Sequence, residues 1–302
     1  MIRKYLIWQT LGLVILFVTT VAAQTSPQDP DGDTYRVWYE ANAANDLPKA
    51  YELGKRYLRE FPRGKYSAYL NKWLPNARAK LFNTAVSAKD TDALLSLGNE
   101  ALANEPDNLN YLITLAQHLS TNELYASPPN YTHAAEAESY TRRAIKLIEA
   151  GKQPANSANW DRNQSLTYFY QVVAGIEERN NNLDSAVIYF DKATKTDPAN
   201  ALPFFRSGRI YQQKYAAAAE RYRAIPEAEK NAAVPRSEVQ ALLKEVNGSA
   251  DAMIDRWVKF LKLTSTNNTF GATRDKVEQA VAELYKYRHP ESPDGYQELI
   301  KP

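Results

Sequence analysis

The side chains able to do chemistry are few. Histidine occurs three times, at His118, His133 and His289, and cysteine is absent. None of the histidines has a His-x3-His or Glu-x2-His partner at zinc-ligand spacing. Without a thiol there is no thiolate metal ligand, iron–sulfur cluster, sulfur nucleophile or lipoprotein anchor. Phosphate-cradling glycine loops, a Gly-x-Ser-x-Gly elbow and a dinucleotide fingerprint are missing too. Asp29, Asp31, Asp33 and Glu40 follow the carboxylate spacing of a calcium loop, but Thr34 stands where that loop needs glycine. These acids are expected in a solvated linker, with Asp33 capping the first helix. The expectation is a protein without catalytic residues, metal or cofactor.

The surrounding chain supports that reading. Its 302 residues carry 37 basic and 35 acidic side chains, a balance unlike that of a strongly basic nucleic-acid binder. Met1-Ile2-Arg3-Lys4 is a basic leader, Tyr5 to Ala23 an apolar run, and Val21-Ala22-Ala23 a small-residue cleavage site. Together they predict a signal peptide over residues 1–23, or else an uncleaved N-terminal anchor. Either way the remainder is exported. Removing residues 1–23 takes away Arg3 and Lys4, which leaves equal numbers of acids and bases. A long exported chain without a disulfide points to a bacterial periplasm or cell surface.

The elements that must position any site are helices. Residues 24–32 form a polar linker containing proline, and beyond it apolar residues recur three and four apart with almost no strand-like alternation. Breaks fall at Asn45-Asp46, Phe61-Pro62, Lys89-Asp90, Glu105-Pro106, Ser127-Pro128, residues 151–159, residues 180–182 and Asp197-Pro198. Others fall near Pro226, Pro235, Gly248 and residues 265–271. The pattern is that of helix pairs with short connections.

The pairs repeat. Thr167 to Asn200 contains Tyr170-x2-Val173-Ala174, then Ala186-x3-Phe190, then Ala193 and Pro198. The next block supplies Phe204-x2-Ser207-Gly208-x2-Tyr211. These motifs resemble the tetratricopeptide repeat family, in which a small residue of the first helix admits the second helix and a proline ends it. Ala50 to Pro62, Leu94 to Pro106 and Ala186 to Pro198 share one twelve-residue spacing. Leu112-x2-Leu115-Ala116-x2-Leu119 reads as a first helix, with Ala137-x3-Thr141-x2-Ala144 its partner after an insertion rich in Ser, Pro and Asn. Repeat starts near residues 31, 75, 109, 167 and 201 follow, with the last second helix expected between Tyr215 and Pro235. Locally, Ala50 to Tyr66 is similar to repeats of bacterial envelope-assembly proteins, although the lipidated cysteine of the lipoprotein type is missing.

The resemblance implies an all-α, right-handed α-solenoid of repeats over residues 33–235, closed by C-terminal capping helices over 236–302 (near 237–264 and 273–288). It also implies a concave face built from first helices. Carried over by position, that face holds Tyr168, Gln171, Phe205, Arg209 and Gln212, an aromatic and amide surface suited to an extended peptide. Twenty tyrosines against nine phenylalanines suit such a surface. Basic residues do not dominate it, which argues against a carboxylate clamp. The expected function is a non-catalytic envelope scaffold that binds a protein or peptide, with no nucleic-acid partner and no membrane contact by the mature chain. The alternatives are a structural assembly subunit and a carbohydrate-active helical toroid whose cleft Trp160, Trp257 and clustered acids would line.

Overall fold

Prolines and left-handed turn residues set the helix boundaries. In the computed structural model, which describes residues 29–155, 158–266 and 269–301, the chain runs α1 (Pro30–Ala43), α2 (Leu47–Glu60), α3 (Ser67–Ala88), α4 (Thr91–Asn104) and α5 (Leu109–Leu119). A π-helical turn, Ser120–Leu124, extends α5. Then follow α6 (Ala134–Glu149), α7 (Arg162–Arg179), α8 (Leu183–Thr196), α9 (Ala201–Arg223), α10 (Glu227–Lys230), α11 (Ser237–Leu263), α12 (Gly271–Arg288) and α13 (Tyr296–Leu299). Among the described residues there is no strand, and no helix is long and apolar enough to cross a membrane. The expected signal peptide, residues 1–23, lies outside them.

Residues 45, 89 and 181 sit fourteen positions after the repeat starts at 31, 75 and 167. Asn45, Lys89 and Asn181 all have positive φ, of 58°, 56° and 60°. At each, the next N–H reaches back to a carbonyl of the preceding helix: Asp46 to Ala41, Asp90 to Ala85 and Asn182 to Glu177. This is the six-to-one bond of a Schellman turn, which uses carbonyls the helix end leaves unpaired. The second helices α2, α4 and α8 each stop two residues before Pro62, Pro106 and Pro198. Their cap residues Phe61, Glu105 and Asp197 are drawn toward extended backbone by the proline that follows. Ala50, Leu94 and Ala186, twelve residues ahead of those prolines, are fully buried.

The chain divides into two compact units, up to Ala77 and from Arg78 onward, and Pro75 interrupts the hydrogen-bond ladder of α3 just before the division. In the first unit α1 and α2 pack around Trp38, Tyr57 and Leu70, and Tyr35 stacks on Tyr66 with ring centroids 3.6 Å apart. The acids of the calcium-like pattern are structural. Asp29, not Asp33, caps α1 by accepting the Gly32 N–H (3.0 Å). Asp31 accepts from the Tyr57 hydroxyl and the Lys65 N–H. Helix α1 already begins at Pro30, so these carboxylates ride on a helix rather than ring a loop.

In the second unit helices pack on their neighbours in chain order: α4 on α5, α5 on α6, α6 on α7, α7 on α8 and α8 on α9. That serial packing defines an all-α solenoid. Its largest core joins Leu112, Leu115, Ala116 and Leu119 of α5 to Ala137, Ala144 and Ile148 of α6 and Phe169 and Val173 of α7. Two expectations fail. No second helix forms between Tyr215 and Pro235: α9 runs on through Tyr215-Ala-Ala-Ala-Ala, a stretch of strong helix formers with no turn signal, and only the single turn α10 follows. The packing position beside α9 is taken by α11, whose Trp257 covers Gly208. Nor does Gly248 break the chain; it lies mid-way along α11 facing open space, where the helix absorbs its weak propensity.

Candidate functional site

The clearest site grows out of the insertion in the third repeat. The first helices of the first, second and fourth repeats end in the tight left-handed turn just described. In the third, α5 instead continues into the π-helical turn, and residues 125–133 follow before α6. Such turns widen the helix and re-aim the residues that follow. Ser120, the first residue of the turn, donates its hydroxyl to the Ala116 carbonyl (2.7 Å) and meets the Tyr168 hydroxyl of α7 (2.6 Å). Glu123, almost fully buried, holds the far end of the insertion: its carboxylate meets His133 Nδ1 at 2.9 Å, and its carbonyl accepts the Asn130 N–H. Arg179, at the end of α7, lies over the Tyr131 ring with its guanidinium carbon 3.4 Å from the centroid.

The insertion thereby forms one wall of a cleft of about 210 Å³, lined by Leu124, Tyr125, Tyr131, Val172, Gly175, Ile176 and Arg206. Leu124, Val172 and Ile176 are buried and apolar, while Tyr125 and Tyr131 remain exposed. The Tyr125 hydroxyl donates to the Gln171 carbonyl (3.4 Å). Desolvation pushes its phenol up, and the Arg206 guanidinium beside it draws it partly back. Arg206 crosses from α9 to α7, donating to Glu178 (2.7 Å). Gly175 lies beside the guanidinium, where an added Cβ would stand 3.1 Å from it.

Two further clefts involve first helices. Ala79, Phe82 and Asn83 of α3 face Asn110, Tyr111 and Thr114 of α5 around about 340 Å³. Gln212, Tyr215 and Ala216 of α9 face Met253 of α11 and Leu284 and Tyr287 of α12 around about 470 Å³.

The five residues assigned to a concave face have different surroundings. Tyr168 meets Ser120 of the π-turn through its hydroxyl, and Gln171 accepts the Tyr125 hydroxyl through its backbone carbonyl. Phe205 turns toward α11 instead: its ring lies 5.3 Å from that of Phe260, and its carbonyl accepts the Trp257 indole N–H (3.2 Å). Arg209, one turn on, is exposed, and Gln212 lines the α9–α12 cleft. The physical reason is α11, which occupies the flank of α9 that Phe205 was expected to show to a ligand. Trp257 is likewise core, covering Gly208, and Trp160 packs, half-buried, against the α5–α7 core.

Tyr125, Tyr131 and Arg206 escaped the sequence reading. The available signals were the insertion itself and a glycine, Gly175, inside a helix otherwise rich in bulky residues. Among the histidines, His118 is buried between Thr91 Oγ1 (3.1 Å) and the Asn122 amide (3.3 Å), His133 holds Glu123, and His289 lies against the Tyr285 ring. Among the described residues no group of three or more His, Asp or Glu is placed to hold a metal ion.

No protein-family model matches the sequence, and no curated protein does. Solved structures that the chain matches include a monomeric mutant of IFIT1 with Gppp-AAAA, at 16% identity and a TM-score of 0.38, over 85% of this chain and 47% of that one. The human IFIT1 dimer with m7Gppp-AAAA matches at 16% identity and a TM-score of 0.35, over 84% of this chain and 46% of that one. The chain thus spans about half the length of the structures it matches.

Proposed function

We propose that this protein is a non-catalytic scaffold, exported to a bacterial periplasm or cell surface, that binds a protein or peptide partner along clefts of its first helices. The insertion cleft is the observation that carries the reading. The π-turn that extends α5 seats Leu124 in the core, and it also anchors a loop through Glu123–His133 and places two exposed tyrosines beside a guanidinium, which core packing alone does not require. The other clefts offer Asn83 and Gln212, whose amides can pair with an extended backbone. Affinity would then be spread over several modest contacts, as repeat scaffolds allow.

The test is selection of random peptides on the purified, processed protein, followed by titration of the enriched sequences against variants. Enriched peptides that lose binding with Tyr125→Ala support the scaffold reading. Absence of any enrichment, or binding indifferent to every cleft substitution, removes it.

A further inference from the structure

We infer that the insertion cleft is an aromatic-anchor pocket, taking one phenyl, phenol or indole side chain from the bound partner. The inference rests on the scaffold reading and narrows it to a ligand chemistry.

Size gives the first argument. Sites that engulf a whole drug-sized molecule measure roughly 300–1,000 Å³. At about 210 Å³ this cleft suits a single large side chain rather than a cofactor or a complete small ligand. Its lining gives the second. Leu124, Val172 and Ile176 supply an apolar floor, which rewards an apolar body with no directional demand. Tyr125 and Tyr131 line the cleft with aromatic rings, one face of Tyr131 being covered by Arg179, and aromatic pairs gain beyond their buried area when offset or edge-to-face. Arg206 places a guanidinium in the lining, and a cation beside a ring favours an aromatic over an aliphatic side chain.

Charge gives the third argument, and it separates a peptide from a nucleotide. A base would bring a phosphate with it, and phosphate binding needs uncommitted cations. Arg206, the cation of the lining, is already matched by Glu178 at 2.7 Å. An uncharged peptide carrying a ring asks for no such cation. The same pairing disfavours a free carboxylate as the feature recognised, because it would have to displace Glu178.

The anchoring of the walls indicates that the pocket is preformed. Tyr125 is held through Gln171, and Tyr131 by Arg179. Arg206 is held by Glu178 and passes over the Phe190 ring, 5.0 Å from its centroid. Little ordering cost then falls on the ligand.

The probes are N-acetyl-phenylalaninamide, N-acetyl-leucinamide and adenosine monophosphate, titrated into the isotope-labelled protein and followed by NMR. The expected result is binding of the phenylalanine compound with a Kd on the order of 1 mM, the range open to so small a ligand. Shifts should gather at Leu124, Tyr125, Val172, Ile176 and the Arg206 side chain. Leucinamide should bind at least about five-fold more weakly, and Tyr125→Ala and Arg206→Gln should each weaken the phenylalanine compound by about five-fold or more. Both substitutions remove partly exposed side chains, and the amide spectrum checks that the fold is kept. Equal binding of leucinamide, tighter binding of the monophosphate, or shifts gathered elsewhere would overturn the inference. If peptide selection meanwhile yields ligands seated at Phe82 and Tyr111, the scaffold reading survives and the aromatic anchor alone fails.

Discussion

Single atoms decide how closely these helices approach. At Gly208 an added side chain would run into the Trp257 indole, so Gly208→Leu should destabilise the second unit by about 1–3 kcal/mol or more. Ala186, fully buried among Ala174, Phe190 and Ile210, leaves as little room, and Ala186→Trp should do the same. Both effects would be read as a fall in denaturation midpoint. Asp29→Ala removes a helix cap, worth typically 0.5–2 kcal/mol, so its cost should be modest but measurable. His118 gives a pH signature. Burial lowers its pKa from 6.5, Lys89 lowers it further and Glu123 opposes. The folded chain therefore favours the neutral ring more than the unfolded chain does. The stability this contributes is complete above about pH 6.5 and is lost as pH falls toward the folded-state pKa. Urea midpoints measured from pH 7.5 to 5 should decline less steeply in His118→Gln than in the parent, and parallel slopes would assign the decline to other groups.

The turns are the element-scale signature of the repeat. Lys89 adopts φ of 56° without being glycine or asparagine, a conformation that costs an ordinary L-residue on the order of 1 kcal/mol. Lys89→Gly should therefore raise stability by roughly 0.5–1 kcal/mol and Lys89→Val lower it, a sign reversal visible in thermal melts. This level of structure was largely legible in sequence, since Pro62, Pro106 and Pro198 mark real helix ends and Ala50, Leu94 and Ala186 are real contacts. What was not legible follows from competing signals. Tyr215 to Arg223 has strong helix propensity and no stop, so α9 lengthens and the second helix is supplied later in the chain by α11. Gly248 is a break signal by propensity, yet the helix expected near 237–264 forms through it, with Val246, Ala250 and Met253 buried on either side. Tyr125 and Tyr131 could not be placed, since their positions depend on the path of an insertion that no periodicity describes.

For the whole molecule, export and groove binding are separate claims with separate tests. Processing after Ala23 predicts a mature N-terminus at Gln24, which N-terminal sequencing of protein from the producing cell reads directly; an intact Met1 in the cytoplasmic fraction would contradict it. Binding is the central claim, and it is a claim about faces. Tyr125 stands in the insertion cleft beside α7 and α9, whereas Ile188 lies exposed on α8, a second helix, at 58%. The most direct measurement is calorimetric titration of a selected peptide into the parent protein, Tyr125→Ala and Ile188→Ala, with helicity confirmed for each. We expect Tyr125→Ala to weaken binding about ten-fold, equivalent to roughly 1.4 kcal/mol, and Ile188→Ala to leave it unchanged. Unchanged binding in Tyr125→Ala together with loss in Ile188→Ala would show that the partner sits on the second helices, contradicting the account.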